Sequence, residues 1–205
     1  MAELIVLEGG VCCGKTKILR ELSNRGYHVI DEVPRKVIEE KIKLNPDYNP
    51  NKDRVNLQEE IANKQYDLEE ILLNKNLQKY SKGFIFLDRS LLGILGFSKS
   101  SGLKNSELPK IFSKVDFNNR YYLIFLLQNL PKKLFDKFSK DGLRVESYDD
   151  TIKCYYSVKK IYEEYGYKER MIEVPSFNID SVPAIKSKTD YIINSLLFYK
   201  ENEII

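Results

Sequence analysis

Four residues near the start of the chain have the types and spacing to hold a polyphosphate. Gly9, Gly14, Lys15 and Thr16 fit G-x-x-x-x-G-K-[ST] within ELIVLEGGVCCGKT. In that pattern backbone N–H groups from Gly9, Gly10, Val11, Cys12, Cys13 and Gly14 surround phosphate oxygens. The lysine reaches the β/γ phosphates and the hydroxyl meets Mg²⁺. The surroundings agree with the motif. Leu4 to Leu7 is a short aliphatic run, and Ile18, Leu19 and Leu22 fall on one helical face beyond the loop. A bound phosphate would therefore sit at a helix N-terminus.

Three further places carry groups suited to work around a γ-phosphate. Asp88 ends the apolar run Phe84 to Leu87; an aspartate there can place Mg²⁺ opposite Thr16, or simply cap the next helix. Arg89 offers a guanidinium fork to phosphate, or pairs with Asp88 or Glu32. Asp31 and Glu32 close a second strand, where one can accept an acceptor's hydroxyl proton, and Arg35 follows Glu32 by about one helical turn. Finally, 131–147 is locally cationic, with Lys132, Lys133, Lys137, Lys140 and Arg144 against Asp136, Asp141 and Glu146. This segment reads as a solvated helix face or as a lid that brings Arg144 to the transferred group.

The elements that must position these groups alternate along the chain. Strands are expected at the N-terminus, at Tyr27 to Ile30, Phe84 to Leu87, Tyr121 to Leu127 and Met171 to Val174. Helices are expected between them, the longest from Val55 to Lys79. Arg25-Gly26 and Gly166 read as helix stops, Pro109 as a first helical residue, and Ser147 with Asp150 as a capping box. Gly93 and Gly96 weaken the helix expected after Ser90. Asn45 to Arg54, with two Asn-Pro breaks, reads as a surface loop whose Tyr48 and Arg54 could wall an acceptor pocket. Strands alternating with helices imply one α/β domain built on a mostly parallel sheet.

Composition limits the alternatives. With 205 residues and 42% hydrophobic content, one domain with a substantial core is expected. Net charge is +3, and aromatics are not interleaved with basic residues, which argues against nucleic acid and suits a small anionic ligand. No run is long enough to span a membrane and no basic-then-apolar leader opens the sequence, so a cytoplasmic protein is expected. Three cysteines give neither a disulfide framework nor zinc spacing, and the lone His28 reads as a strand residue.

Taken together, LEGGVCCGKT, GYHVIDEVPR, LDRS, DGLRVESYDD and YEEYGYKERMIEVP resemble the small P-loop kinase-like ATPases related to the nicotinamide-riboside kinase domain of NadR. The likeness extends more distantly to deoxynucleoside and thymidylate kinases. It spans nearly the whole chain. It implies a P-loop NTPase three-layer α/β fold, with a five-stranded parallel sheet in the order 2-3-1-4-5, helices on both faces and an arginine-bearing lid.

By the same resemblance, ATP and Mg²⁺ are the expected cofactors. Lys15 and Thr16 take the phosphates and metal, Asp88 and Arg89 match the acid-arginine pair of that strand end, and Arg144 with Glu146 matches the lid pair. The acceptor cleft is expected beside Glu32 and Arg35. The family's loop usually has small residues where this chain has Val11, Cys12 and Cys13. Since no strand is followed by Asn-Lys-x-Asp, a GTP switch is disfavoured. The expected activity is Mg²⁺-ATP-dependent phosphotransfer to a small nucleoside, nucleotide or related metabolite; the alternative is an ATP-hydrolysing regulatory protein with no small-molecule acceptor.

Overall fold

A computed structural model describes residues 3–10, 12–74, 83–138, 146–176 and 182–202. The expected helix end at Lys79, and Val11, Lys140 and Arg144, lie outside the described residues. Five strands form one parallel sheet: β1 (Glu3–Gly9), β2 (His28–Ile30), β3 (Phe84–Asp88), β4 (Leu123–Leu127) and β5 (Met171–Val174), in the order β2-β3-β1-β4-β5. The helices are α1 (Lys15–Asn24), α2 (Val33–Leu44), α3 (Arg54–Asn74), α4 (Leu91–Ser100), α5 (Lys132–Phe138), α6 (Tyr148–Glu164) and α7 (Val182–Glu201).

Strand alternation builds a core on each face of the sheet. Leu4 and Val6 of β1, Ile85 and Leu87 of β3, and Ile124 and Leu126 of β4 pack with α2, α3, α4 and α6. Ile5, Leu7, Phe84, Phe86, Leu123 and Phe125 pack with Ile18, Leu19 and Leu22 of α1 and Ile192 and Leu196 of α7. Burial on both faces explains the continuous apolar runs in the inner strands.

The two glycines that weaken α4 as a sequence serve its packing. A Cβ at Gly96 would come within 2.7 Å of Val158 Cα in α6, and one at Gly93 within 1.9 Å of the Glu8 carboxylate. α4 therefore lies closer to the sheet and to α6 than an alanine helix could. Its N-cap is Ser90, whose hydroxyl accepts from Gly93 N, so Asp88 is left uncommitted to capping. Pro109 precedes a short 3₁₀ turn at Lys110–Ser113 instead of opening an α-helix. No helix among the described residues is long and apolar enough to cross a membrane.

Candidate functional site

The loop between β1 and α1 is shaped by backbone constraints. Gly14 caps α1 at φ +98, a left-handed conformation that suits glycine, and no side chain caps the helix. Behind the loop there is no room: a Cβ at Gly10 would lie 2.1 Å from Asn129 Oδ1 and 2.4 Å from Thr151 Cγ2. Lys15 is buried and folds back over the loop, donating to the carbonyls of Gly9 (3.2 Å) and Gly10 (2.9 Å) and to Cys13 Sγ (3.5 Å). An anion arriving at the α1 N-terminus would compete with those carbonyls for the ammonium.

Parallel pairing sets Asp88 beside Leu7 and turns its side chain toward α1. Thr16 Oγ1 donates to Asp88 Oδ2 at 3.5 Å, while the buried Oδ1 has no hydrogen-bond partner. Burial, opposed by Lys15 and reinforced by Glu32, pushes the Asp88 carboxyl up to about 7. A buried carboxylate oxygen without a donor, next to a hydroxyl, is a hard oxygen set that suits Mg²⁺. Thr16 and Asp88 therefore fit the metal that the sequence pattern implies.

Arg89 adopts φ +72, a conformation that costs a non-glycine residue on the order of 1 kcal/mol and that the surroundings must hold. Its guanidinium is almost wholly buried. Nε donates to Glu32 Oε1 (3.0 Å) and Nη1 to Gly9 O (3.4 Å), with Glu8 Oε2 at 3.8 Å. Burial opposes its charge, but Glu32 and the other nearby acids outweigh that and raise its pKa. Of the pairings open in the sequence, the one with Glu32 is realised.

A cleft of about 410 Å³ joins these parts. Cys12, Cys13, Gly14, Lys15, Thr16 and Lys17 line it from the loop. Glu32, Arg35, Arg89 and Glu146 also line it, and Pro34, Ile38, Ile61, Ile94 and Phe97 give it apolar walls. The structure thus brings together Lys15, Thr16, Glu32, Arg35, Arg89 and Glu146. Arg35 also donates to Glu39 Oε1 at 2.9 Å. Asp31 does not line the cleft; it is exposed and pairs with Lys36. Tyr48 and Arg54 do not line it either, since Tyr48 is held by Asp53 and Arg54 by Ser101 and Asn51. Gln58 and Ile61 of α3 take that wall instead.

Glu8 was not singled out from the sequence. It is fully buried, accepts from Ser90 N (3.0 Å) and Tyr162 Oη (3.1 Å), and has its carboxyl pushed up by burial. The available signal was its charge inside an aliphatic strand, a placement that demands partners.

Sheet order, the glycine loop at the end of the first strand and the acid closing the adjacent strand define a P-loop kinase-like fold. The chain belongs to a family described as AAA domain, whose model matches residues 4–181. Among solved structures, NadR protein in complex with NR is similar at 15% identity and TM-score 0.65, over 92% of this chain and 49% of that one. NadR with NAD and AMP-PNP is similar at 15% identity and TM-score 0.61, over 93% and 48%. Deoxyadenosine kinase from M. mycoides with bound dATP is similar at 17% identity and TM-score 0.58, over 94% and 98%. The chain thus spans about half the length of the NadR chains and nearly all of the deoxyadenosine kinase. No curated protein matches it.

Proposed function

We propose that the chain transfers the γ-phosphoryl group of Mg²⁺-ATP to a hydroxyl or phosphate of a small nucleoside-like or nucleotide-like acceptor. The observation that carries this reading is the continuity of the cleft. The same cleft is lined by the glycine loop, by Glu32 held by Arg89, and by the apolar side chains of Pro34, Ile38, Ile61, Ile94 and Phe97. A hydrolase acting on water needs no such apolar lining. The neighbours bear on the acceptor class, since NadR is described with NR and the M. mycoides enzyme is a deoxyadenosine kinase.

In this reading Lys15 leaves the Gly9 and Gly10 carbonyls for the β/γ phosphates, and the loop N–H groups take the remaining oxygens. Thr16 and Asp88 would hold Mg²⁺, which when bound neutralises charge on the phosphate oxygens. Glu32 accepts the acceptor's hydroxyl proton. Arg89 fixes the rotamer of Glu32 and sets a positive charge beside the reacting oxygens, while Arg35 and Glu146 line the acceptor side. Arg144 is assigned the lid's cation, a role that rests on the family resemblance.

The test is a thermal-shift and coupled-transfer panel of nucleosides, nucleoside monophosphates and nicotinamide riboside. Each is run with a non-hydrolysable ATP analogue for binding and with ATP for turnover. One acceptor should stabilise the analogue complex further, by about 2.7 kcal/mol at 100 times its dissociation constant. Glu32→Gln should then lower turnover more than ATP affinity. Hydrolysis with no acceptor dependence would replace this reading with the ATPase one.

A further inference from the structure

Arg89 is braced from a part of the molecule that the cleft does not reach. The β3–α4 turn is pinned at successive backbone groups. Arg89 N donates to Leu7 O (3.1 Å), Arg89 O accepts from Gln65 Nε2 (3.4 Å), Ser90 N donates to Glu8 Oε1 (3.0 Å) and Leu91 N to Glu69 Oε1 (2.9 Å). Glu69, in α3, is fully buried and is the hub of this bracing. Its Oε1 also accepts from Gln65 Nε2 (2.9 Å), and its Oε2 accepts from Arg120 Nε (2.7 Å) and Tyr121 Oη (2.8 Å). Arg120 reaches on to Glu70 at 2.8 Å.

A buried ion pair that merely ties α3 to the entrance of β4 would explain the Arg120 contact. It would not explain why the other oxygen is spent on Leu91 N–H and on the amide that holds the Arg89 carbonyl. Those two backbone groups flank Ser90. Turning Arg89 out of its left-handed conformation rotates the peptide plane that carries its carbonyl and shifts the chain that leads through Ser90 to Leu91, so both bonds resist that turn.

We propose that Glu69, backed by Arg120 and Tyr121, is a positioning residue that locks the Arg89 backbone and so aims its guanidinium at Glu32 and the loop. Its consequence for turnover rests on the phosphotransfer reading; its consequence for Arg89 itself does not.

The experiment compares two double variants. Glu69→Met with Arg120→Met removes the buried pair and the acceptor for Leu91 N–H. Glu69→Gln with Arg120→Met also removes the pair but keeps an acceptor oxygen. In a ¹⁵N–¹H spectrum of wild type, the Arg89 Nε–H signal, assigned by its loss in Arg89→Lys, should be protected from exchange by its bond to Glu32. Protection should fall at least about tenfold in the first variant and by less than about threefold in the second. Turnover should drop about 10- to 100-fold in the first and recover in the second, with ATP affinity little changed. In an Arg89→Lys background the difference between the two variants should vanish, as it must if Glu69 acts through Arg89.

Should the first variant not fold, Gln65→Leu removes the donor on Arg89 O and one of the donors to Glu69 while leaving the Glu69–Arg120 pair and the bond from Leu91 N–H, and should lower both readouts about threefold. Equal Arg89 protection in all these variants would overturn the proposal, whatever the protein's activity. Retained protection differences with no acceptor-dependent transfer would instead leave Glu69's role standing and remove the kinase reading.

Discussion

Glu69 and Asp88 are both buried carboxylates near the β3–α4 turn, and the chain treats them in opposite ways. Glu69 receives donors from Gln65, Leu91, Arg120 and Tyr121. Asp88 has one long contact from Thr16 and an oxygen with no partner. Burying a charge is costly unless it is paired and hydrogen-bonded. Glu69 meets that requirement from within the chain. Asp88 meets it only when something is added, and its elevated pKa of about 7 is the consequence. A saturated acid is therefore scaffold, and an unsaturated one beside the loop is a place for a ligand.

The largest effect that could break this contrast is on stability. Glu69→Ala leaves Arg120 buried with only Glu70 opposite it, so denaturant unfolding should show a loss of about 3–5 kcal/mol. A loss below about 1 kcal/mol would mean that Glu69 is not scaffold.

Asp88→Asn should move the other way. Its carboxyl is raised from 3.8 to about 7 in the folded chain, so between those values the native state holds a proton that the unfolded state has released. Stability of the metal-free protein therefore falls as pH rises through about 4 to 7, by no more than about 4 kcal/mol, and the penalty is complete above about 7. Asp88→Asn should thus be more stable than wild type at pH 8 in EDTA and nearly equal to it at pH 4. Added Mg²⁺ should stabilise wild type and not the variant, and turnover should fall about 10²-fold. A Tm difference that does not grow with pH would remove the argument from Asp88's burial.

Glu8 stands between the two extremes, since one oxygen accepts two bonds and the other faces Arg89 at 3.8 Å without a hydrogen bond. Tyr162→Phe strips one donor from Glu8 and one of two partners from Ser90 Oγ, which keeps Gly93 N. An intermediate loss of about 1–3 kcal/mol is expected by chemical denaturation. A neutral result would place Glu8 with Asp88 as an acid awaiting a ligand.

The same contrast separates what could be read in the sequence from what could not. The loop is a local object: Gly9, Gly14, Lys15 and Thr16 state their geometry within eight residues. Five strands were legible because their apolar runs are short and bounded. The sheet order came with the family resemblance, whereas the pairing of Asp88 with Thr16 was legible from an acid closing an apolar strand in a chain with a phosphate loop. The hydrogen bonds of Glu69, Arg120, Tyr121, Glu8 and Tyr162 were silent because, the bond from Gln65 to Glu69 apart, their partners lie tens of residues away. In a helix pattern Glu69 looks like any solvated acid. Gly93 and Gly96 misled for a related reason, since propensity cannot register the Glu8 carboxylate or Val158 pressed against them.

Ser147→Ala sharpens the comparison at its small end. Ser147 and Asp150 cap α6 reciprocally: Ser147 Oγ accepts from Asp150 N (3.2 Å), and Ser147 N donates to Asp150 Oδ2 (3.0 Å). Both side chains face solvent, so water can replace the lost bond, and the cost should be about 1 kcal/mol. The first turn of α6 nevertheless carries Thr151, which closes the rear of the loop at Gly10. If that wall depends on the cap, nucleotide affinity will fall by more than the roughly fivefold that 1 kcal/mol allows. If the deeper bond from Tyr162 to Glu8 fixes α6 on its own, Tm will drop slightly and affinity will not move. The second outcome is expected, because a helix anchored by a buried hydrogen bond at one end tolerates fraying at the other.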